Sequence, residues 1–414
     1  MLRNGGNSNR SSTPPSHDIG RSNSKSIREK TGRTNGGQPG HEGTTLKMKA
    51  NPDKVVDLIP GYCNGCGALL DGPLEFVESK QEVELPPIQP QYIVYRSYSK
   101  TCKCCGHHTI NHLPERLKAP IQFGPGIKAL VAYLSVGHYL PYKRITQLFK
   151  DAFHLPISEG TIDNILGRMA LSGETIYAAI KEKIEHSKVV GSDETGIHIG
   201  GKKAWLNAWQ TPHLTFIASS LKRDYKTIEN LFPDGLTNSV LVSDCWAAQL
   251  KTPAANHQLC IVHLLQELNN FIDAFDCQWS VEMKQLFKEA LEQKKKMQPV
   301  DYLHPNERVK YIENKLDELL KVDLTTKHKK LQAFIKRLLK NRDYILNFLY
   351  YEKVPPDNNS SEQAIRNVKV KMKISGQFRS PCGAKRFSIL RSIIDTANKN
   401  SKNIFEILSI YAAI

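Results

Sequence analysis

The sequence predicts a mixed α/β fold that carries a helical insertion and is preceded by a cysteine-rich module and a helical segment. Three observations carry this. Strand-like apolar runs follow one another between residues 189 and 243, helical periodicity dominates on both sides of them, and five of nine cysteines fall between Cys63 and Cys105. The chain has 414 residues, enough for two or three domains with at least one sizeable core.

Charge and composition narrow the class. Lys and Arg total 57 against 41 Asp and Glu, a formal net charge of +16. Such a surplus suits a polyanionic partner, because neutralised phosphates release counterions, although simple solubility accounts for it equally well. No run of about 18 apolar residues exists, so no membrane span is expected. The first ten residues lack the apolar stretch of a secretion signal. A cytoplasmic location is the expectation, and there clustered cysteines read as a metal site and not as disulfides.

Taken in order, residues 1–49 form a basic linker rich in Gly, Ser, Asn and Arg, too poor in large apolar residues to fold alone. Residues 50–115 hold the cysteines, in Cys63-Asn64-Gly65-Cys66-Gly67 and Cys102-Lys103-Cys104-Cys105-Gly106. Each is a knuckle whose glycine permits a tight turn around a thiolate, and two knuckles supply four sulfurs for tetrahedral zinc. The expected ligands are Cys63, Cys66, Cys102 and Cys105, with Cys104 an alternative to Cys102. Four thiolates leave no open position, so this zinc is structural; it can supply about 10–16 kcal/mol of apparent binding energy to fold a small module.

Residues 116–186 read as helical. Ile145, Leu148, Phe149 and Ala152 repeat at helical spacing; after a turn at Phe153 to Pro156, Ser158 can cap a second helix bearing Ile162, Ile165, Leu166 and Met169. The pair resembles a helix-turn-helix that reads DNA, though many helical hairpins bind nothing. From residue 187 the period changes. Val189 to Asp193, Ala204 to Trp209 and Leu214 to Ala218 read as consecutive strands. A helix follows at Tyr225 to Leu231, then a strand Val240 to Ser243, then a candidate strand Gln258 to Ile261. Three strands, a helix and a further strand are the order of a ribonuclease-H-like fold. Residues of about 265–350 are helical and charged and read as an insertion; helix returns from Ser360 to the end of the 187–414 domain.

Three acids stand where a carboxylate is informative. Asp193 lies in the first strand, Asp244 ends the apolar run Val240 to Ser243, and Glu362 lies where a proline-rich loop enters a helix. On that helix Arg366 and Lys369 share its face. Phosphoryl transfer on DNA needs an activated oxygen nucleophile and a stabilised 3′ leaving oxygen, which two divalent cations held by a few carboxylates can provide. The alternative is ordinary: Asp193 as a turn residue and Glu362 as an ion-pair partner of Arg366. Beyond Glu362, Arg366, Lys369, Lys371, Lys373, Arg379, Lys385, Arg386 and Arg391 follow with almost no acids before Asp395, a density that suggests a DNA-gripping surface.

At these motifs the chain resembles the transposases of the insertion sequence sixty-six family, over nearly its whole length. The similar stretches are Gly37-Gln38-Pro39-Gly40-His41-Glu42-Gly43, Ser192-Asp193-Glu194-Thr195, Val242-Ser243-Asp244, the segment His257 to Leu265, and Asp357 to Arg366, which is the most specific. Gly383-Ala384-Lys385-Arg386-Phe387 continues the similarity. Cys260 and His263 match a Cys-x-x-His pair that related families place beside the insertion. They read as a structural pair, a metal pair or packing.

The resemblance implies a ribonuclease-H-like catalytic domain in which Asp193, Asp244 and Glu362 are ligands of magnesium or manganese. It implies hydrolysis at the ends of an insertion sequence, then attack of the freed 3′ hydroxyl on target DNA. Expected partners are double-stranded DNA, further copies of the chain in a homo-oligomer on it, and accessory proteins of the same element, at the bacterial nucleoid. After Asp244, Trp246 and Gln249 stand where the family more often has tyrosine. Two other readings remain at this point: a non-catalytic DNA-binding protein on a decayed transposase scaffold, and a nuclease of the same fold that cuts without joining.

Overall fold

The computed structural model describes residues 40, 46–304, 306–323, 325 and 327–413. The linker expected at residues 1–49 and the motif from Gly37 to Gly43 lie outside them, apart from Gly40 and residues 46–49. The chain divides into two units, one at Asn23–Gln89 and the other running from Pro90 to Ile414 with Met1–Ser22. In the first, every described residue except Cys63 is exposed, and the sole regular pairing among them is an antiparallel bridge from Tyr62 to Leu69. A segment with so little buried surface needs a cross-link or a metal to hold a fold.

The described part of the second unit starts with a short antiparallel ladder, β1 (Ser99–Thr101) and β2 (His108–Ile110). Three helices follow: α1 (Pro125–Ala132), α2 (Tyr142–Phe153) and α3 (Glu159–Glu185). His154 ends α2 in the left-handed conformation, and the Ser158 hydroxyl accepts the Thr161 N–H at 3.1 Å as the predicted cap of α3. The local pattern suggested a short second helix, yet α3 runs 27 residues. Its apolar face continues through Ala170, Gly173, Ile180 and Ile184, all buried.

A mixed five-stranded sheet forms the centre. Its strands are β3 (Val189–Ile199), β4 (Lys202–Gln210), β5 (Thr215–Ser220), β6 (Leu236–Ser243) and β7 (Ala254–Leu259), in the order β5-β4-β3-β6-β7. β3, β4 and β5 are antiparallel neighbours, while β6 and β7 run parallel to β3. Helices α4 (Tyr225–Leu231) and α5 (Ala247–Leu250) lie in the connections to β6 and β7. β3 reaches six residues past the expected strand because Gly200 and Gly201, both at positive φ, close a two-residue hairpin that pairs Ile199 with Lys202. β7 begins before the expected strand and stops at Leu259, which leaves Cys260 as the cap of the next helix.

The insertion comprises α6 (Ile261–Phe275), α7 (Gln278–Lys296), α8 (Glu307–Leu320) and α9 (Lys329–Lys340), with short 3-10 turns. The chain ends in α10 (Asn359–Ser375), α11 (Pro381–Lys399) and α12 (Ile404–Ala413). Two cores result. One joins α1–α3 and α10–α12 to the sheet; the other is made by the insertion and includes Val240, Val242 and Leu259. On β6 the sides alternate, with Leu241 in the first core and Val240 and Val242 in the second, so the strand is buried on both faces. Edge strand β5 is covered by α11: Ser392 accepts the Ile217 N–H at 2.9 Å and Thr396 the Thr215 N–H at 3.1 Å. Among the described residues no helix is long and apolar enough to cross a membrane.

The start of α10 seats directly on β3. Asn358 donates its side-chain N–H to the Ser192 carbonyl at 2.7 Å, and Gln210 on β4 donates to the Ser361 hydroxyl at 3.2 Å. Both contacts need Gly191. A Cβ there would lie 2.5 Å from Ser361 Oγ, 2.9 Å from Gln210 Nε2 and 3.0 Å from Asn358 Oδ1. We expect Gly191→Ala to destabilise the protein by about 1–3 kcal/mol, as overpacking does. Ser361→Ala in the same chain should restore part of the loss. Chemical denaturation of the single and double variants measures both, and an unchanged midpoint in Gly191→Ala would refute the close approach.

Candidate active site

The β3–β6–α10 junction gathers four carboxylates. Asp193 lies midway along β3 with Glu194 beside it, Asp244 is the first residue beyond β6, and Glu362 sits in the first turn of α10. The charges of the other three all act on Asp193. Burial, followed by the charges of Glu194 and Asp244, drives the Asp193 carboxyl up from its ordinary 3.8 to about 8; Glu362 adds to the rise, and the Glu194 N–H, bonded to Asp193 Oδ1 at 2.8 Å, opposes it. Parallel neighbours β3 and β6 bring Asp193 close to Asp244, and the seating of α10 adds Glu362.

Glu194 was not singled out from the sequence as a site residue. Alternation along β3 sends it to the face opposite Asp193, and only the structure shows that Asp244, beyond the strand end, acts on both. Burial and Asp244 raise Glu194 to about 7, against the pull of Arg223. Unlike Asp193, Glu194 has its charge answered. Arg223 donates Nε to Oε1 at 3.0 Å and also bonds it through Nη2, while Gln249 donates to Oε2 at 2.9 Å. The Arg223 guanidinium is stacked between the rings of Trp205, 4.9 Å away, and Trp246, 4.6 Å away. Among the described residues Asp193 and Asp244 form no ion pair, and Glu362 has only His263, with Nε2 3.6 Å from Oε1. Asp244 Oδ1 accepts the Trp246 N–H at 2.9 Å. Two carboxylates without an ion pair, and a third beside only a histidine, are a donor set suited to a divalent cation that prefers oxygen.

The basic residues divide by environment. Arg366, Lys373 and Arg379 are exposed and make no ion pair among the described residues; Lys369 is half-buried on the Glu362 helix. Lys371 is half-buried, its pKa lowered by burial, and donates to Ser375 Oγ at 2.9 Å. Lys385 is paired with Glu174 at 2.8 Å and Arg386 with Asp163 at 2.7 Å, so both tie α11 to α3. Arg391 does not belong to the basic surface predicted for it: it is buried, bonded to Asp395 and to the Val136 carbonyl. Helical periodicity on α11 turns it inward, where a charge persists only with a partner.

The two cysteine knuckles are built alike. Gly67 donates to the Cys63 carbonyl at 2.8 Å and Gly106 to the Cys102 carbonyl at 2.9 Å, each glycine at positive φ. The Cys63 thiol is held below its ordinary pKa by the backbone N–H groups of Cys66 and Gly65, and Cys102 by those of Cys105 and Cys104. Side-chain bonds from Cys66 to Cys63 and from Cys105 to Cys102 complete each turn, with Cys104 inside its knuckle. Backbone N–H groups aimed at a sulfur favour the thiolate, the form that ligates zinc.

Two family matches accompany this geometry. The family described as Transposase IS66 family matches residues 120–386, a range that contains Asp193, Asp244 and Glu362. The zinc-finger binding domain of transposase IS66 matches residues 60–106, which contain both knuckles. No curated protein matches the chain.

A carboxyl raised on folding contributes stability below its unfolded pKa and loses it as pH climbs through the folded value. For Asp193 that window runs from about 4 to about 8. Protein without divalent cation should therefore lose melting temperature across this range, and magnesium should restore more at pH 8.5 than at pH 5.5. Asp193→Asn should flatten both trends. Thermal melts at the two pH values, with and without magnesium, decide it; a wild type indifferent to magnesium at pH 8.5 speaks against a cation site.

Proposed function

The chain belongs to the IS66 transposase family, and from that membership we propose that it is a DDE-type transposase that cleaves the ends of an insertion sequence and joins them to target DNA. The observation that carries the proposal is that residues far apart in sequence converge on Asp193: β6, which leads into Asp244, pairs with β3, the start of α10 that bears Glu362 is hydrogen-bonded to β3, and the charges of Asp244 and Glu362 both act on Asp193. The strand order β5-β4-β3-β6-β7, with its first three strands antiparallel and the last two parallel to β3, supports a ribonuclease-H-like core.

The residues fit the cation that this chemistry requires. Asp193 and Asp244 have no basic partner among the described residues, and Glu362 Oε1 is buried without a hydrogen bond. Asp193, Asp244 and Glu362 would hold magnesium or manganese. When bound, that metal supplies the charge that activates an attacking oxygen and stabilises the departing 3′ oxygen. The chain's own residues do the rest. Arg223 and Gln249 bond the Glu194 carboxylate and answer its charge. Arg366 and Lys369, on the Glu362 helix, hold the phosphate backbone, and Lys373 and Arg379 extend that grip. Lys371 extends the proposed DNA surface, and Lys385 and Arg386 border it while paired with Glu174 and Asp163. A structural zinc held by Cys63, Cys66, Cys102 and Cys105 stabilises the module ahead of the helical segment. In the bacterial cytoplasm the chain is proposed to act as a homo-oligomer on paired ends, with accessory proteins of the same element.

Incubating the protein with magnesium and labelled DNA carrying the element's ends tests this directly. We expect cleavage and joining by the wild type and a loss of at least about a thousandfold in Asp244→Asn. Equal products from both would place the chemistry elsewhere, and cutting without joining would indicate a nuclease. Replacing Lys369 and Arg379 with alanine should weaken DNA binding and lower its salt slope by about one per charge removed. An unaltered slope in binding titrations from low to high salt would remove them from the interface.

A further inference from the structure

On the insertion side of the acidic cluster, three side chains of different chemistry converge. Cys260 caps the start of α6 and is 1% exposed. Its Sγ accepts the backbone N–H of Asn358 at 3.3 Å and that of His263. Donor atoms of Cys260, His263 and Glu362 all lie within 4.8 Å of one another. Two of these side chains also carry a buried atom with no hydrogen-bond partner: Nδ1 of His263 and Oε1 of Glu362. Buried polar atoms are ordinarily paired, so two orphans beside a buried sulfur point to a ligand that all three share.

The donor types select its class. Thiolate and imidazole are soft and borderline donors, poorly matched to magnesium and well matched to zinc and its neighbours. One thiolate, one carboxylate and one neutral imidazole around a divalent cation sum to zero charge, which lowers the cost of holding it in a dry setting. Burial favours the neutral thiol at Cys260, the two backbone N–H groups at Sγ offset part of that cost, and binding releases the thiol proton to solvent. His263 and Glu362 are 34% and 24% exposed, so a fourth position can face water.

We propose that Cys260, His263 and Glu362 form a binding site for a soft divalent cation of the zinc class, distinct from the Cys-x-x-Cys knuckles, with three protein donors and one open position. A consequence resting on the transposase reading follows: a cation held here engages Glu362 and withdraws one carboxylate from the magnesium cluster, so zinc should inhibit the reaction.

Binding itself is tested without DNA, so it stands or falls apart from that reading. Full-length protein purified with its resident zinc is titrated with cobalt(II) and followed by near-ultraviolet thiolate-to-cobalt absorption. Wild type should take up one further cobalt with a thiolate band. Cys260→Ser, which keeps an acceptor for both N–H groups, should lose the band. His263→Gln, at a partly exposed position where folding is less at risk, should weaken the affinity at least roughly tenfold. Cys63→Ser should leave the extra site intact. No further cobalt in the wild type, or a thiolate band that survives in Cys260→Ser, overturns the proposal.

Discussion

The seat of α10 on β3 is the contact on which the site depends. Glu362 arrives more than a hundred residues after Asp244, at the far end of an insertion with its own core. What returns it to the sheet is a hydrogen bond from Asn358 to the Ser192 carbonyl, a second from Gln210 to Ser361, and the missing side chain at Gly191. These contacts are buried, where an unmade hydrogen bond is costly, so the helix has one favourable position. Cys260 reinforces it by accepting the Asn358 N–H, and Ile261 donates to the Pro356 carbonyl at 2.9 Å. The loop that delivers Glu362 is thus fastened both to β3 and to the first helix of the insertion.

Electrostatics then separates neighbouring acids. Asp193 and Glu194 are adjacent in one strand and both are pushed upward in pKa by burial, yet their surroundings differ. Glu194 is answered by an arginine clamped between two tryptophans and by a glutamine amide. The charges that act on Asp193 are those of other carboxylates. Like charges gathered without a counter-ion are unfavourable by themselves, and such strain is tolerated where a cation or a reaction uses it. Trp246 links the two settings, since its ring holds Arg223 while its N–H bonds Asp244.

The insertion contributes more than bulk. Val240, Val242 and Leu259 from the sheet enter its core, so it closes one face of the parallel half of the sheet. Lys294 on α7 secures its exit by donating to the carbonyls of Phe348, Tyr351 and Glu352 at 2.7, 3.0 and 2.9 Å. These carbonyls lie just ahead of the loop to α10, so Lys294 ties the exit of the insertion to α7. On the other face, Lys385 and Arg386 spend their charge on Glu174 and Asp163 to hold α11 against α3.

Local chemistry was legible in the sequence wherever neighbours in the chain decide it. The two glycine-closed cysteine knuckles, the Ser158 cap and the strand-like apolar runs of β3 to β6 follow from spacing and residue type, whereas Asp193, Asp244 and Glu362 stood out by their placement and took their expected role from the family resemblance. The length of α3 was not legible, because its later apolar residues mean something only once a partner covers them. The inward turn of Arg391, the pairing of Lys385 and Arg386, and the separate fates of Asp193 and Glu194 were hidden for the same reason. So was the convergence of Cys260 and His263 on Glu362. A sequence carries the periodicity and donors of each element, whereas which donors share a site depends on contacts between elements distant along the chain, and only the packed tertiary structure decides those.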